Sequence, residues 1–115
     1  QLPKIFYVNW FRKDDNGKFI WPGFGENSRV LEWIFNRVDG KGEAVETPIG
    51  FVPAAKDLNT EGLDLSAEDL DTLLTVDAEA VKAELPQVEA YLEQYGDRLP
   101  AEITQQLDAL KARLG

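Results

Sequence analysis

The chain has 115 residues, enough for one modest domain, and an ordinary apolar fraction of 43%. It contains no cysteine and no histidine, which excludes disulfides, thiolate chemistry and imidazole as general base or metal ligand. A formal charge of −9 argues against general nucleic-acid binding, because an acidic surface repels a phosphate backbone, and no run reads as a membrane span or signal peptide.

The charge is uneven. Through Lys41 the basic residues Lys4, Arg12, Lys13, Lys18, Arg29, Arg37 and Lys41 slightly outnumber the acidic ones, and acidic side chains dominate afterwards. A small anionic ligand is therefore compatible with the first third of the chain. The first residue is Gln, which fits a processed product or a piece of a longer protein.

Residues 4–11, KIFYVNWF, read as a strand, since Ile5, Phe6, Tyr7 and Val8 are strand formers in one continuous apolar run. Such a run suits a strand covered on both faces, which needs more neighbours than this chain offers. Asp14-Asp15-Asn16-Gly17 is a turn signal, with Asn-Gly suited to positive φ. Residues 18–21 then form a short return strand, bringing Phe11 and Phe19 together. Pro22-Gly23-Phe24-Gly25 cannot continue it, because Pro22 lacks a donor and the glycines permit sharp bends.

Asn27 or Ser28 is expected to cap a helix to about Val38, with Val30, Leu31, Ile34, Phe35 and Val38 on one face. Asp39-Gly40 ends it. Residues 43–51 form a weak extended stretch, followed by a polar region in which the composition changes. A boundary is placed there, giving residues 1–53 as a strand–hairpin–helix segment and 54–115 as a helical segment. Ser66 with Asp69 resembles a capping box, and Asp77 caps the next helix. In that helix Val81, Leu85, Val88 and Leu92 recur at helical spacing, and Pro86 should kink or divide it. Gly96 stops it, and Pro100 opens a last helix lined by Ile103, Leu107, Leu110 and Leu114.

All three tryptophans lie within residues 9–35, together with Phe11, Phe19, Phe24 and Phe35. This cluster is either the core of a small domain or the lining of a pocket for a flat ligand. PGFGEN holds Phe24 between two glycines at a helix start. It matches neither GxxxxGK[ST] nor GxGxxG. Phe24 is then a hydrophobic plug under the helix, or a stacking platform with Phe11 and Phe19. Asn27 can cap the helix or face a ligand, but not easily both. No nucleophile–base pair is visible, and the neighbouring carboxylates Asp14 and Asp15 read as solvated, so neither catalytic nor metal-ligating residues are assigned.

Residues 3–40, PKIFYVNWFRKDDNGKFIWPGFGENSRVLEWIFNRVDG, closely resemble the C-terminal part of the GTP-dependent phosphoenolpyruvate carboxykinase family. TPIGFVP at residues 47–53 and LPAEI at residues 99–103 resemble its following segments, the tail looking closer to bacterial members. The resemblance implies an α+β segment, with short N-terminal strands and a hairpin followed by helices, that completes the α/β nucleotide-binding domain of a longer enzyme. That enzyme is a cytoplasmic, gluconeogenic, decarboxylating lyase. It converts oxaloacetate and GTP to phosphoenolpyruvate, CO2 and GDP, using Mn2+ and Mg2+. The resemblance further implies that Phe11, Phe19 and Phe24 surround guanine, two clamping the ring and one closing its edge. Asn27 then recognises the base, and Pro22, Gly23 and Gly25 shape the backbone that presents Phe24. The family's phosphate loop, reactive cysteine, metal ligands and oxaloacetate-binding arginines all lie upstream. The expected partner is therefore the remaining N-terminal part of the same enzyme, with no catalytic activity in this segment alone. The alternative is a non-catalytic helical module that binds another polypeptide through its aromatics.

Overall fold

The structure, a computed structural model, describes residues 2–115. Its elements are a 3-10 turn Phe24–Glu26, α1 Asn27–Val38, β1 Ala44–Thr47, β2 Gly50–Pro53, α2 Ala67–Leu74, α3 Ala78–Glu93 and α4 Ala101–Leu114, with two further 3-10 turns at Ala55–Asp57 and Gly96–Arg98. Among the described residues, the helices and one two-stranded sheet make this an α+β segment. Two compact units are present. One comprises the chain up to Glu46 plus Phe51–Thr75; the other comprises Thr47–Gly50 and Val76–Gly115.

In the first unit the expected strand at residues 4–11 is absent, and this stretch has no regular secondary structure. Among the described residues, 2–11 make no backbone–backbone hydrogen bond. A strand exists only through a ladder partner, and here none is supplied. The side chains nevertheless alternate: Phe6 packs its ring edge-on against Trp33 at 6.1 Å, while Ile5 and Tyr7 are 89% and 96% exposed. The return strand at 18–21 is likewise reduced to one antiparallel bridge, between Lys13 and Phe19.

Trp33 is the buried anchor of α1, and its indole N–H donates to the Glu43 carbonyl at 3.2 Å. That anchoring turns the helix so that the predicted apolar face divides. Val30 and Ile34 are half-buried, whereas Leu31, Phe35 and Val38 are exposed. The helix closes as sequence predicts. Gly40 takes φ 75°, the Lys41 amide reaches the Asn36 carbonyl at 2.7 Å, and the Gly40 amide reaches that of Arg37 at 3.2 Å. This pair of bonds is a Schellman motif. Trp21, Trp33 and Leu58 are the buried residues of this unit. The Ser66–Asp69 capping box at the start of α2 is formed in full.

β1 and β2 pair through a two-residue loop, so the hairpin is antiparallel. In the second unit Asp77 caps α3, accepting from the Ala80 amide at 3.0 Å. Pro86 does not divide α3, which runs unbroken across it. Proline removes one amide donor, and the rest of the ladder carries the helix through. Pro100 occupies the N-cap of α4 and not its first turn. Lys111 of α4 forms an ion pair with Glu89 of α3, and hydrogen bonding to Glu89 raises Lys111 above the ordinary lysine range. Leu114 is buried, and the Arg113 Nε–H donates to the Pro48 carbonyl at 2.8 Å.

Candidate functional site

The site is built from the turn at residues 14–18, the Pro22–Gly25 bend and the first turn of α1. The Asp14 carboxylate closes the first of these, accepting from the Asn16 and Lys18 amides at 2.9 Å each. The Asp14 amide donates to the Lys18 carbonyl at 2.9 Å and the Gly17 amide to the Asp14 carbonyl at 3.0 Å. Only Gly17 takes positive φ, at 78°. Asn16 does not, so this is a three-residue loop closed by glycine and not the two-residue Asn-Gly turn. The Ile20 amide donates to the Arg12 carbonyl at 3.0 Å, which brings Phe11 and Phe19 together as expected. Their ring centroids are 6.0 Å apart and their planes inclined at 63°. Lys13 Nζ lies 4.9 Å from the Phe19 ring centre, a cation–π contact.

Pro22 ends the extended path and Gly23 adopts φ 115°, ψ −163°, a region open essentially to glycine alone. The chain then enters the 3-10 turn, where the Glu26 amide donates to the Gly23 carbonyl at 3.0 Å. Phe24 heads this turn and is 94% exposed. The plug reading of Phe24 therefore fails, since nothing of this unit covers it. Gly25 is exposed, and a Cβ added there meets nothing within 4 Å.

Asn27 is the first residue of α1 and not its cap; Glu26 occupies the N-cap without a side-chain capping bond. The Asn27 Oδ1 instead accepts from the Trp21 indole N–H at 2.9 Å. Trp21 is 5% exposed, so this bond is sheltered. The Arg29 Nε–H donates to Glu26 Oε2 at 2.6 Å, and Nη1 donates to the Asn59 carbonyl and Oδ1 at 3.1 and 3.2 Å. Neither link was read from sequence. Trp21 and Asn27 are separated by five residues of bend, so no helical or strand spacing connects them.

The structure brings Phe11 and Phe19 into contact and sets Trp21 behind Asn27, but Phe24 touches neither of the other two rings at stacking distance. A sandwich around a flat base needs near-parallel rings about 7 Å apart, two van der Waals separations. Phe11 and Phe19 do not meet that condition with each other. A neighbouring cleft of about 470 Å3 is lined by Glu26, Ser28, Arg29, Glu32, Asn59 and Glu61 and by none of the three phenylalanines. Its three carboxylates oppose phosphate binding there. Among the described residues no group of three or more Asp or Glu side chains could hold a metal ion.

Residues 1–113 match the family model described as the phosphoenolpyruvate carboxykinase C-terminal P-loop domain. The chain belongs to the GTP-dependent phosphoenolpyruvate carboxykinase family. It is 53% identical over 115 residues to the protein named phosphoenolpyruvate carboxykinase [GTP] of Chlamydia trachomatis, and 53% identical to that of Neocallimastix frontalis, matching 99% of this chain in each case. The protein of the same name from Renibacterium salmoninarum is 50% identical and matches 100% of it. In all three carboxykinases the match spans 19% of the relative's length. The phosphate-loop pattern after which the carboxykinase domain is named does not occur within these 115 residues. No helix among the described residues is long and apolar enough to cross a membrane.

Proposed function

We propose that this segment forms the guanine-recognising wall of a cytoplasmic carboxykinase that converts oxaloacetate and GTP to phosphoenolpyruvate, CO2 and GDP. The exposure of Phe24 carries this reading. A large aromatic side chain on a bend that only glycine can make, 94% exposed, contributes almost nothing to the unit that presents it. Stacking on a base gives it a role worth about 1–3 kcal/mol. The inclined Phe11–Phe19 pair then supplies the opposite wall and edge, and Phe24 the facing platform. Gly25, whose Cβ space is empty in this fold, lets the base approach the backbone. Asn27 reads the edge of the base.

Catalysis by the whole enzyme is phosphoryl transfer, which depends on positioning and charge neutralisation. This segment contributes the positioning of the nucleotide. The phosphate loop, the Mn2+ and Mg2+ ligands and the groups that meet oxaloacetate belong to the remaining N-terminal part, so the 115-residue chain alone is inactive.

Titration of the full-length enzyme with GDP, with ADP as control, tests the reading. The reporter is the fluorescence of Trp21, which lies directly behind Asn27. Saturable quenching by GDP but not by ADP is expected. Phe24→Ala should weaken GDP binding by about 1–3 kcal/mol while leaving the melting temperature unchanged. Equal affinity for GDP and ADP, or an unaltered GDP affinity in Phe24→Ala, would overturn the assignment. Phosphoenolpyruvate formation by the isolated chain would overturn the claim that it is inactive.

A further inference from the structure

The Trp21–Asn27 hydrogen bond fixes the direction of an amide that otherwise has two. An indole N–H can only donate. At 2.9 Å it therefore requires the Asn27 carbonyl oxygen, not the NH2 group, on its side. Because Trp21 is buried, water does not compete freely for that oxygen, and leaving the indole unpaired is costly. The Asn27 NH2 group is thereby turned away from Trp21, and it is not a buried donor lacking a partner, so it is left on the side open to solvent or a ligand. A group that can only donate selects a base edge that accepts.

We infer that Trp21 is a specificity-determining positioning residue: by holding the Asn27 oxygen it presents a pure donor to the base, which favours a 6-oxo purine over a 6-amino purine. Guanine carries the acceptor O6 at this position, whereas adenine carries an amino donor. An amide free to rotate would satisfy either base, offering NH2 to O6 or its oxygen to the 6-amino group. The selectivity therefore resides in a buried residue that never touches the nucleotide. This inference rests on the assignment of Asn27 to the base-binding wall proposed above.

The test compares GDP, IDP and ADP binding to the full-length enzyme, its Trp21→Phe variant and its Asn27→Asp variant, by calorimetry. IDP shares the 6-oxo group of GDP but lacks the 2-amino group, so it isolates the contact at position 6. The unmodified enzyme should prefer both GDP and IDP over ADP. Trp21→Phe keeps an aromatic ring in the buried site and deletes the donor. It should lower the GDP/ADP and IDP/ADP affinity ratios about tenfold, with ADP binding unchanged or stronger. A merely structural role for Trp21 would weaken all three nucleotides together and leave the ratios intact, which would overturn the inference. Asn27→Asp decides independently of whether Trp21→Phe folds. Its carboxylate still accepts from Trp21 but has only acceptors to offer the base, so the preference should shift towards ADP. Retained 6-oxo selectivity in Asn27→Asp also overturns the inference. Loss of selectivity in the unmodified enzyme would instead overturn the guanine-wall assignment itself.

Discussion

At the residue scale, the two glycines that flank Phe24 separate fold from function. Gly23 sits at φ 115° with open space where a Cβ would go. Its identity is therefore demanded by backbone conformation and not by packing. Gly25 has neither a positive φ nor a neighbour within 4 Å, so the fold does not require glycine there. Gly23→Ala should destabilise the first unit by about 1–3 kcal/mol, the cost of holding a side chain in that region. Gly25→Ala should leave the melting temperature within error and, on the proposed guanine wall, weaken GDP binding by placing a methyl group where the base would approach. Thermal denaturation and GDP calorimetry on the two variants measure the contrast. A Gly25→Ala variant with unaltered affinity would remove Gly25 from the site.

At the element scale, what was legible in the sequence followed the range of the signal. The Schellman closure at Asp39-Gly40, the Ser66–Asp69 box and the Asp77 cap are all decided within about five residues, and each was read correctly. The burial of α1 was not, because Leu31 and Phe35 satisfy the same periodicity as Val30 and Ile34 and only the packing of Trp33 chooses between them. Likewise the aromatic cluster at 9–35 was visible in the sequence, but composition could not say that Trp21 turns inward while Phe24 turns out. Pro86 shows a local rule met by a longer element. α3 spans 16 residues, so one missing donor does not end it, but the Lys82 carbonyl loses its i+4 partner. Pro86→Ala restores that donor and removes the ring clash, and should stabilise α3 by up to about 3 kcal/mol. A melting temperature unchanged or lowered by the substitution would show that proline fits the local path of α3 without cost.

At the scale of the whole molecule, large apolar side chains stand in solvent: Ile5, Tyr7, Phe11, Phe24 and Phe51 are each more than half exposed. Among the described residues, Trp21, Trp33, Leu58 and Leu114 are the buried large apolar side chains. The stretch at residues 4–11 shows why the sequence predicted a strand and the structure lacks one. Its composition is that of a strand covered on both faces, yet its backbone groups have no ladder partner and Ile5 and Tyr7 stand in solvent. Both observations are explained if, as proposed above, the partner strand lies in a part corresponding to the four-fifths of the relatives' length that this chain does not match. Main-chain pairing along an open edge would then join the two parts. Hydrogen exchange followed by mass spectrometry tests this directly. In the isolated chain the amides of residues 4–11 should exchange at nearly the rate of an unfolded peptide. In the full-length enzyme the same amides should be protected at least about 100-fold, equivalent to roughly 2.7 kcal/mol of local opening free energy. Fast exchange in both would mean that this apolar run pairs with nothing. Strong protection in the isolated chain would mean that it finds its partner within these 115 residues.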